Sequence, residues 1–133
     1  MSAYQLVWLR QDLRTFDHSA LHHAMAAGPT LAVVVLSPEQ WRLHDDAPIK
    51  IDFYLRQLQA LQSDLANLNV PLLVLRVELW HDIANALKNL CQTLPIANLY
   101  ANREAGVNEI SRDKWVIQSL KQLNINSHFF EDC

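Results

Sequence analysis

The chain has 133 residues, of which 50% are hydrophobic and 19% are charged, a balance typical of one soluble globular domain. Its formal net charge of −3 gives no overall attraction to nucleic acid or to anionic membranes, and no apolar run reaches the roughly 18 residues that a membrane span needs. The two cysteines, Cys91 and Cys133, have neither metal-site spacing nor the pattern of a disulfide framework, which favours a reducing cytoplasm.

Five apolar runs of strand length follow one another along the chain. They cover residues 5–9, 30–36, 72–77 and 98–101, with a weaker run at 127–130. The first three are rich in Leu and Val and show little polar alternation, which predicts strands that are covered on both faces.

Four segments with a helical apolar period lie between these runs. Their stripes are Ala20, Leu21, Ala24 and Met25; Ile51, Leu55, Leu58, Leu61, Leu65 and Leu68; Ile83, Leu87, Leu90 and Leu94; and Ile110, Ile117 and Leu120. Five strands that alternate with four helices predict an α/β fold, a doubly wound parallel sheet with helices on both faces. We expect the strand order 3-2-1-4-5.

Several residues mark the expected helix ends. Asp17 is a suitable N-cap for the first helix, with Phe16 and Leu21 at the two positions of a hydrophobic staple. Gly28, followed by a proline, is a stop signal after this helix, and Pro48 suits the first turn of the second helix.

Ligands of open parallel sheets bind beyond the carboxyl ends of the strands. The segments expected there are residues 10–16, 37–47, 78–81 and 102–108. The chain has only two glycines, which excludes a glycine-rich dinucleotide loop and a Walker A phosphate loop.

The first of these segments carries Arg10, Asp12 and Arg14 where a phosphate loop would carry glycines. It could bind an anion or a partner domain, but we favour a structural role in which Asp12 pairs with a nearby arginine and fixes the turn. The four-residue spacing of His18 and His22 could hold a metal, yet no third ligand completes it, so a solvated helix face is the favoured interpretation.

The segment Asn102 to Asp113, N-R-E-A-G-V-N-E-I-S-R-D, is the least ordinary part of the sequence. Helix capping by Asn108 and Glu109 accounts for its second half, because an acidic residue favours the positive end of a helix. The preceding Asn102, Arg103 and Glu104 suit recognition of a ring with amide-like donors and acceptors. His44 and His81 lie in other loops on the same side and are further candidate contacts.

Two motifs resemble DNA photolyases and cryptochromes. V-W-L-R-Q-D-L-R-T-F-D-H-S-A-L, from Val7 to Leu21, is similar to the family opening W-F-R-x-D-L-R-x-x-D-N-x-A-L. The segment from Asn102 to Asp113 is similar to the family pattern N-x-E-Y-x-x-N-E-x-x-R-D. With S-P-E-Q-W-R-L-H between them, the chain most resembles bacterial class I cyclobutane pyrimidine dimer photolyases.

The resemblance implies that residues 1–133 are a Rossmann-like α/β antenna domain that binds methenyltetrahydrofolate, which passes its excitation to FAD. It identifies His44, Asn108 and Glu109 as the folate contacts and implies no catalytic residue in this chain. FAD and damaged DNA would be bound by a helical domain that follows, with the folate in a cleft between the two domains. We expect that the chain is an excised piece of such a protein and is inactive alone.

Two departures from the family pattern stand out. Ala105 replaces a common tyrosine, and His18 replaces the usual asparagine, a harmless change if Asp17 provides the cap. Two other functions stay open: the same module of a cryptochrome photoreceptor without repair activity, and a nucleotide-binding domain of the universal-stress type, which usually has a glycine-bearing phosphate loop.

Overall fold

The computed structural model describes residues 3–43 and 47–131, which form a parallel sheet with helices on both faces. The strands are β1 (Tyr4–Leu9), β2 (Thr30–Leu36), β3 (Leu72–Arg76), β4 (Ile96–Asn102) and β5 (Asn126–Phe130). The helices are α1 (Ser19–Ala27), α2 (Pro38–Leu43), α3 (Pro48–Asn67), α4 (Ile83–Thr93) and α5 (Val107–Lys121), with a 3-10 turn at Trp80–Asp82. The strand order is β3-β2-β1-β4-β5 and all four pairings are parallel, so the predicted fold class and order are confirmed.

Alternate side chains of the central strands enter two apolar cores. Trp8 of β1 packs in one core with residues of α4 and α5 such as Leu87. Val7 packs in the other core with residues of α1 and α3 such as Leu61. This alternation across the pleat holds the helices on opposite faces of the sheet.

Strand β3 lies at an edge of the sheet, as the predicted strand order places it, but one of its faces is less covered than expected. It pairs with β2 alone, and Val74 in its middle is 49% exposed. The expectation of two covered faces is therefore correct for β1 and for most of β2 but wrong for β3. Apolar composition does not reveal which strand of a parallel sheet ends up at the edge.

The N-cap of helix α1 lies one residue later than predicted. His18 is its N-cap, and its Nδ1 accepts a hydrogen bond from the Leu21 N–H at 3.1 Å. Asp17 instead has a positive φ of 49°, and Phe16 is 74% exposed, so the predicted cap and staple are both wrong. An imidazole nitrogen acts here as the acceptor that a short polar side chain usually supplies.

Other predicted helix boundaries are correct. Gly28 is the C-cap of α1, and Pro48 is the first residue of α3. The segment 37–47, expected to be a loop, contains the short helix α2. Within the described ranges, no helix combines the length and the apolar character that crossing a bilayer requires.

Candidate functional site

A cleft of about 480 Å³ lies at the carboxyl ends of the strands. Its walls come from the ends of β1 and β2, from α2 and α3, from the 3-10 turn and from the start of α5. Four aromatic side chains line it: Trp8, Trp41, Tyr54 and Trp80. This position and volume are those of a small-molecule site in an open α/β sheet.

Two guanidinium groups stack against the indoles of one wall. The guanidinium carbon of Arg112 lies 5.1 Å from the ring centroid of Trp8 and 4.7 Å from that of Trp80. That of Arg10 lies 4.3 Å from the Trp8 centroid. Because a cation is attracted to the face of an indole, these contacts hold β1 and the 3-10 turn against α5. The indole faces that the cations cover are closed to a ligand.

Carboxylates neutralise both guanidinium groups. Arg10 Nη1 donates to Asp113 Oδ1 at 2.8 Å, and Arg112 Nη2 donates to Glu104 Oε1 at 2.5 Å. Arg112 Nε also donates to Asp113 Oδ1 at 3.1 Å, and Arg10 Nη2 donates to the Asn102 carbonyl. Two cations and two anions thus balance at the wall of the cleft, which argues against an anion site built on the two arginines.

Two of the predicted contacts, Asn108 and Glu109, line the cleft as the second and third residues of α5. The helix N-cap is Gly106, so neither residue has the capping position. A Cβ added to Gly106 would lie 2.4 Å from Glu109 Oε1. The glycine therefore leaves room for this carboxylate to fold back over the helix start, where the partial positive charge of the helix favours an anion.

The third predicted contact, His44, lies outside the described residues. From the same segment, Trp41 of α2 packs edge-on against Tyr54 of α3, with 5.9 Å between ring centroids and 68° between planes. The Tyr54 hydroxyl donates to the Arg10 carbonyl at 3.1 Å. Burial raises the pKa of Tyr54 to about 12, so this hydroxyl remains a donor throughout the physiological range.

Asp12 fixes the turn between β1 and α1. Its Oδ1 accepts from the Arg10 backbone N–H at 2.9 Å, and its Oδ2 lies 2.7 Å from His18 Nε2. Asn102 Nδ2 donates to the same Oδ2 at 3.0 Å. Burial acts to raise the pKa of Asp12, but the hydrogen bonds from His18 and from the Arg10 N–H outweigh it and hold the pKa below its usual value. The structural interpretation of this turn is correct, although a histidine rather than an arginine side chain contacts the Asp12 carboxylate.

Three other candidate histidines, His18, His22 and His81, do not line the cleft. His18 is 4% exposed, so the expected solvated face is wrong for it, whereas His22 is exposed. Across residues 3–43 and 47–131, no three potential His, Cys, Asp or Glu ligands come together as a metal site. His81 is exposed, lies 3.4 Å from Asp82 and is not part of the cleft wall.

The three residues that suggested ring recognition, Asn102, Arg103 and Glu104, have different positions in the structure. Asn102 is buried, and its Oδ1 accepts from the Ala20 N–H at 3.0 Å, which ties the end of β4 to α1. Arg103 is exposed and lies 3.5 Å from Glu131. Of the three residues, Glu104 alone lines the cleft.

Sequence reasoning missed Trp8, Ser37, Trp41 and Trp80 as cleft residues. Ser37 and Trp41 lie in the segment after β2, and Trp80 lies in the segment after β3. Both segments were expected on the ligand side of the sheet, and that position is the signal that could have identified these three residues. Trp8 gave no such signal because it is an interior residue of β1 and was assigned to the core alone.

The sequence model of the DNA photolyase family matches residues 5–133. A deoxyribodipyrimidine photo-lyase of Vibrio cholerae is 40% identical over 129 residues, which cover 96% of this chain and 28% of that protein. A deoxyribodipyrimidine photo-lyase of Escherichia coli is 33% identical over 129 residues, which cover 96% of this chain and 27% of that protein. The chain spans about a quarter of the length of the curated relatives it matches.

Solved structures give a similar result. A cryptochrome from Synechocystis superposes with a TM-score of 0.84 at 25% identity, over 96% of this chain and 27% of that one. A bacterial class III photolyase from Agrobacterium tumefaciens superposes with a TM-score of 0.73 at 25% identity. The superposition covers 98% of this chain and 26% of that one. The α/β fold found here therefore recurs as one part of larger proteins.

Proposed function

The chain belongs to the DNA photolyase family, and on that premise we propose that it is the light-harvesting antenna domain of a photolyase. The whole enzyme would be a deoxyribodipyrimidine photolyase, a carbon–carbon lyase that repairs UV-induced cyclobutane pyrimidine dimers with light and FAD. The observation that carries the proposal is the cleft at the carboxyl ends of the strands, where the acidic start of α5 meets aromatic walls.

The cleft suits the ring of methenyltetrahydrofolate in size and polarity. Its volume of about 480 Å³ lies within the range of small-molecule sites. The carboxylates of Glu104 and Glu109 are acceptors, and a pterin ring carries amino and N–H donors that complement them. When bound, the folate would absorb light and pass its excitation to FAD.

The residues proposed to hold the folate are His44, Asn108 and Glu109. Glu109 would accept from the amino and ring N–H groups, since Gly106 leaves its carboxylate free to turn over the helix start. Asn108 would add an amide contact beside it, and His44 would flank the ring from the segment after β2. Arg112 already occupies Oε1 of Glu104, which makes Glu104 the weaker acceptor of the two.

FAD and UV-damaged DNA would bind elsewhere, in a C-terminal helical domain of the longer protein that packs over this cleft. The chain has two glycines and no glycine-rich phosphate loop, which speaks against a dinucleotide site of its own. The protein would act in the cytoplasm.

A second candidate is the N-terminal domain of a cryptochrome-type blue-light photoreceptor without repair activity. The superposition on a cryptochrome with a TM-score of 0.84 favours it. The curated relatives described above are instead named deoxyribodipyrimidine photo-lyase, which favours the repair enzyme.

The test uses Glu109→Ala in the longer protein. We expect a lower folate absorbance relative to the flavin absorbance, with FAD content and repair under direct flavin excitation unchanged. Glu78→Ala, a change of the same type at an exposed residue outside the cleft, should leave the folate band intact. Full folate occupancy after Glu109→Ala would remove this residue from the site, and a wild-type protein that repairs no dimers would favour the cryptochrome alternative.

A further inference from the structure

Three buried side-chain polar atoms in the described ranges have no hydrogen-bond partner: Arg10 Nε, Ser37 Oγ and Ser127 Oγ. Arg10 and Ser37 both line the cleft, whereas Ser127 lies in β5 outside it. Buried polar groups of native proteins are almost always paired. Two unpaired atoms at one cleft therefore indicate a polar partner that enters it.

Ser37 does not have the structural role that its position suggests. It directly precedes α2, where a serine hydroxyl ordinarily accepts from a backbone N–H of the first turn. Here the N–H groups of Gln40 and Trp41 both bond to the Ser37 carbonyl, at 3.0 and 3.2 Å, and the hydroxyl has no partner. Helix capping thus leaves the hydroxyl of Ser37 unexplained.

We propose that the Ser37 hydroxyl is a further ligand contact that donates a hydrogen bond to an acceptor atom of the bound ring. This inference rests on the proposed function. Arg10 Nε–H can only donate, and the Ser37 hydroxyl adds a second donor to the cleft lining, each in the segment that follows its strand, β1 or β2. The carboxylates of Glu104 and Glu109 supply acceptors to the same cleft, from the segment after β4 and the start of α5.

These donors and acceptors favour a heterocycle with a hydrogen-bond acceptor at one edge and N–H donors at another. The acceptor would be a carbonyl oxygen or an unprotonated ring nitrogen. Ser37 is 4% exposed and lines the cleft. A serine side chain has a single heavy-atom torsion, so its hydroxyl turns toward the ligand without rearrangement of the backbone.

The test is a titration of the 133-residue chain with methenyltetrahydrofolate, followed by the amide chemical shifts of cleft residues in NMR spectra. Ser37→Ala should raise the Kd about 3- to 10-fold, the usual effect of losing one hydrogen bond. Ser127→Ala is the matched control, because it removes a buried unpaired hydroxyl outside the cleft, and it should leave the Kd unchanged.

A second measurement separates a ligand contact from a structural one. Thermal unfolding of ligand-free Ser37→Ala should have an unchanged or higher midpoint, because no bond within the protein is lost. A midpoint lowered by several degrees would identify the hydroxyl as a structural group and overturn the inference. Equal Kd values for wild type and Ser37→Ala would overturn it while leaving the proposed function in place. A wild-type chain without saturable shifts would overturn the inference that this wall alone presents a donor to the ring, whereas the proposed function is tested separately by Glu109→Ala in the longer protein.

Discussion

Asp12 Oδ2 lies 2.7 Å from His18 Nε2, and the imidazole is completely buried between the end of β1 and the start of α1. Because Nδ1 of His18 accepts from the Leu21 N–H, the ring proton belongs on Nε2, which donates to Asp12. One side chain thus caps a helix with one nitrogen and fixes the preceding turn with the other.

This double role predicts the stability of His18 variants. His18→Ala should lower the free energy of unfolding by about 2–4 kcal/mol, because a helix cap is lost and a largely buried carboxylate loses a donor. His18→Asn should cost less, since asparagine caps well. His22→Ala, one turn along α1 on an exposed position, is the control and should have little effect in urea unfolding. A His18→Ala chain as stable as the control would contradict the role assigned to the ring.

The lowered pKa of Asp12 predicts how stability depends on pH. Its value in the unfolded chain is about 3.9, so the ionised carboxylate contributes its full stabilisation above that pH. As the pH falls from 3.9 through the lower pKa of the folded state, the contribution is lost. The stability difference between wild type and Asp12→Asn should therefore shrink below about pH 4, as measured by urea unfolding from pH 6 to pH 3. A difference that stays constant over this range would show that Asp12 is not the responsible group.

The sequence predicted the sheet because strand and helix periods alternate clearly, but it did not predict the cap of α1. Asp17 is a better N-cap than His18 by residue type, and only the approach of Asp12 from the preceding turn makes the histidine favourable. Local preference was overridden by a contact between side chains six positions apart.

The buried ion cluster at the wall of the cleft, formed by Arg10, Glu104, Arg112 and Asp113, gives a third prediction. Arg112→Met would leave Glu104 without its guanidinium partner and remove a donor from Asp113, which should cost about 3 kcal/mol or more. Arg56→Met is the control, because the Arg56–Asp52 pair is exposed on α3 and contributes little. Thermal unfolding of both variants is the measurement, and equal midpoints would mean that the cluster does not stabilise the fold.

The cleft was only partly predictable for a similar reason. Asn108 and Glu109 follow a strand end, so their position on the ligand side could be inferred from the order of elements alone. Trp8 has no such position: it is an interior residue of β1, and the guanidinium of Arg112 from α5 lies over its indole and over that of Trp80. Such a contact between three distant segments leaves no periodic trace in the sequence.

Gly106→Ala gives a fourth prediction, which separates ligand affinity from stability. The backbone there has a φ of −65°, which alanine adopts readily, but the new Cβ would lie 2.4 Å from Glu109 Oε1. The flexible carboxylate would move away at little cost in stability. We expect an unfolding midpoint close to that of wild type together with a weaker affinity for methenyltetrahydrofolate in the NMR titration. Unchanged affinity would show that the position of this carboxylate does not matter for the ligand.

The fifth prediction concerns the purified 133-residue chain, which should be colourless, bind methenyltetrahydrofolate no better than weakly and repair no pyrimidine dimers. If the folate lies between two domains, this chain supplies one wall, and each polar contact in a wet cleft contributes only about 0.5–1.5 kcal/mol. A few such contacts barely offset the cost of immobilising the ligand, which is at least about 4 kcal/mol. Absorbance of the purified chain, the NMR titration and a light-dependent assay on a dimer-containing oligonucleotide test the three parts. A tightly bound folate would show that one wall suffices, and light-dependent repair would place a flavin site and a lesion pocket within these 133 residues.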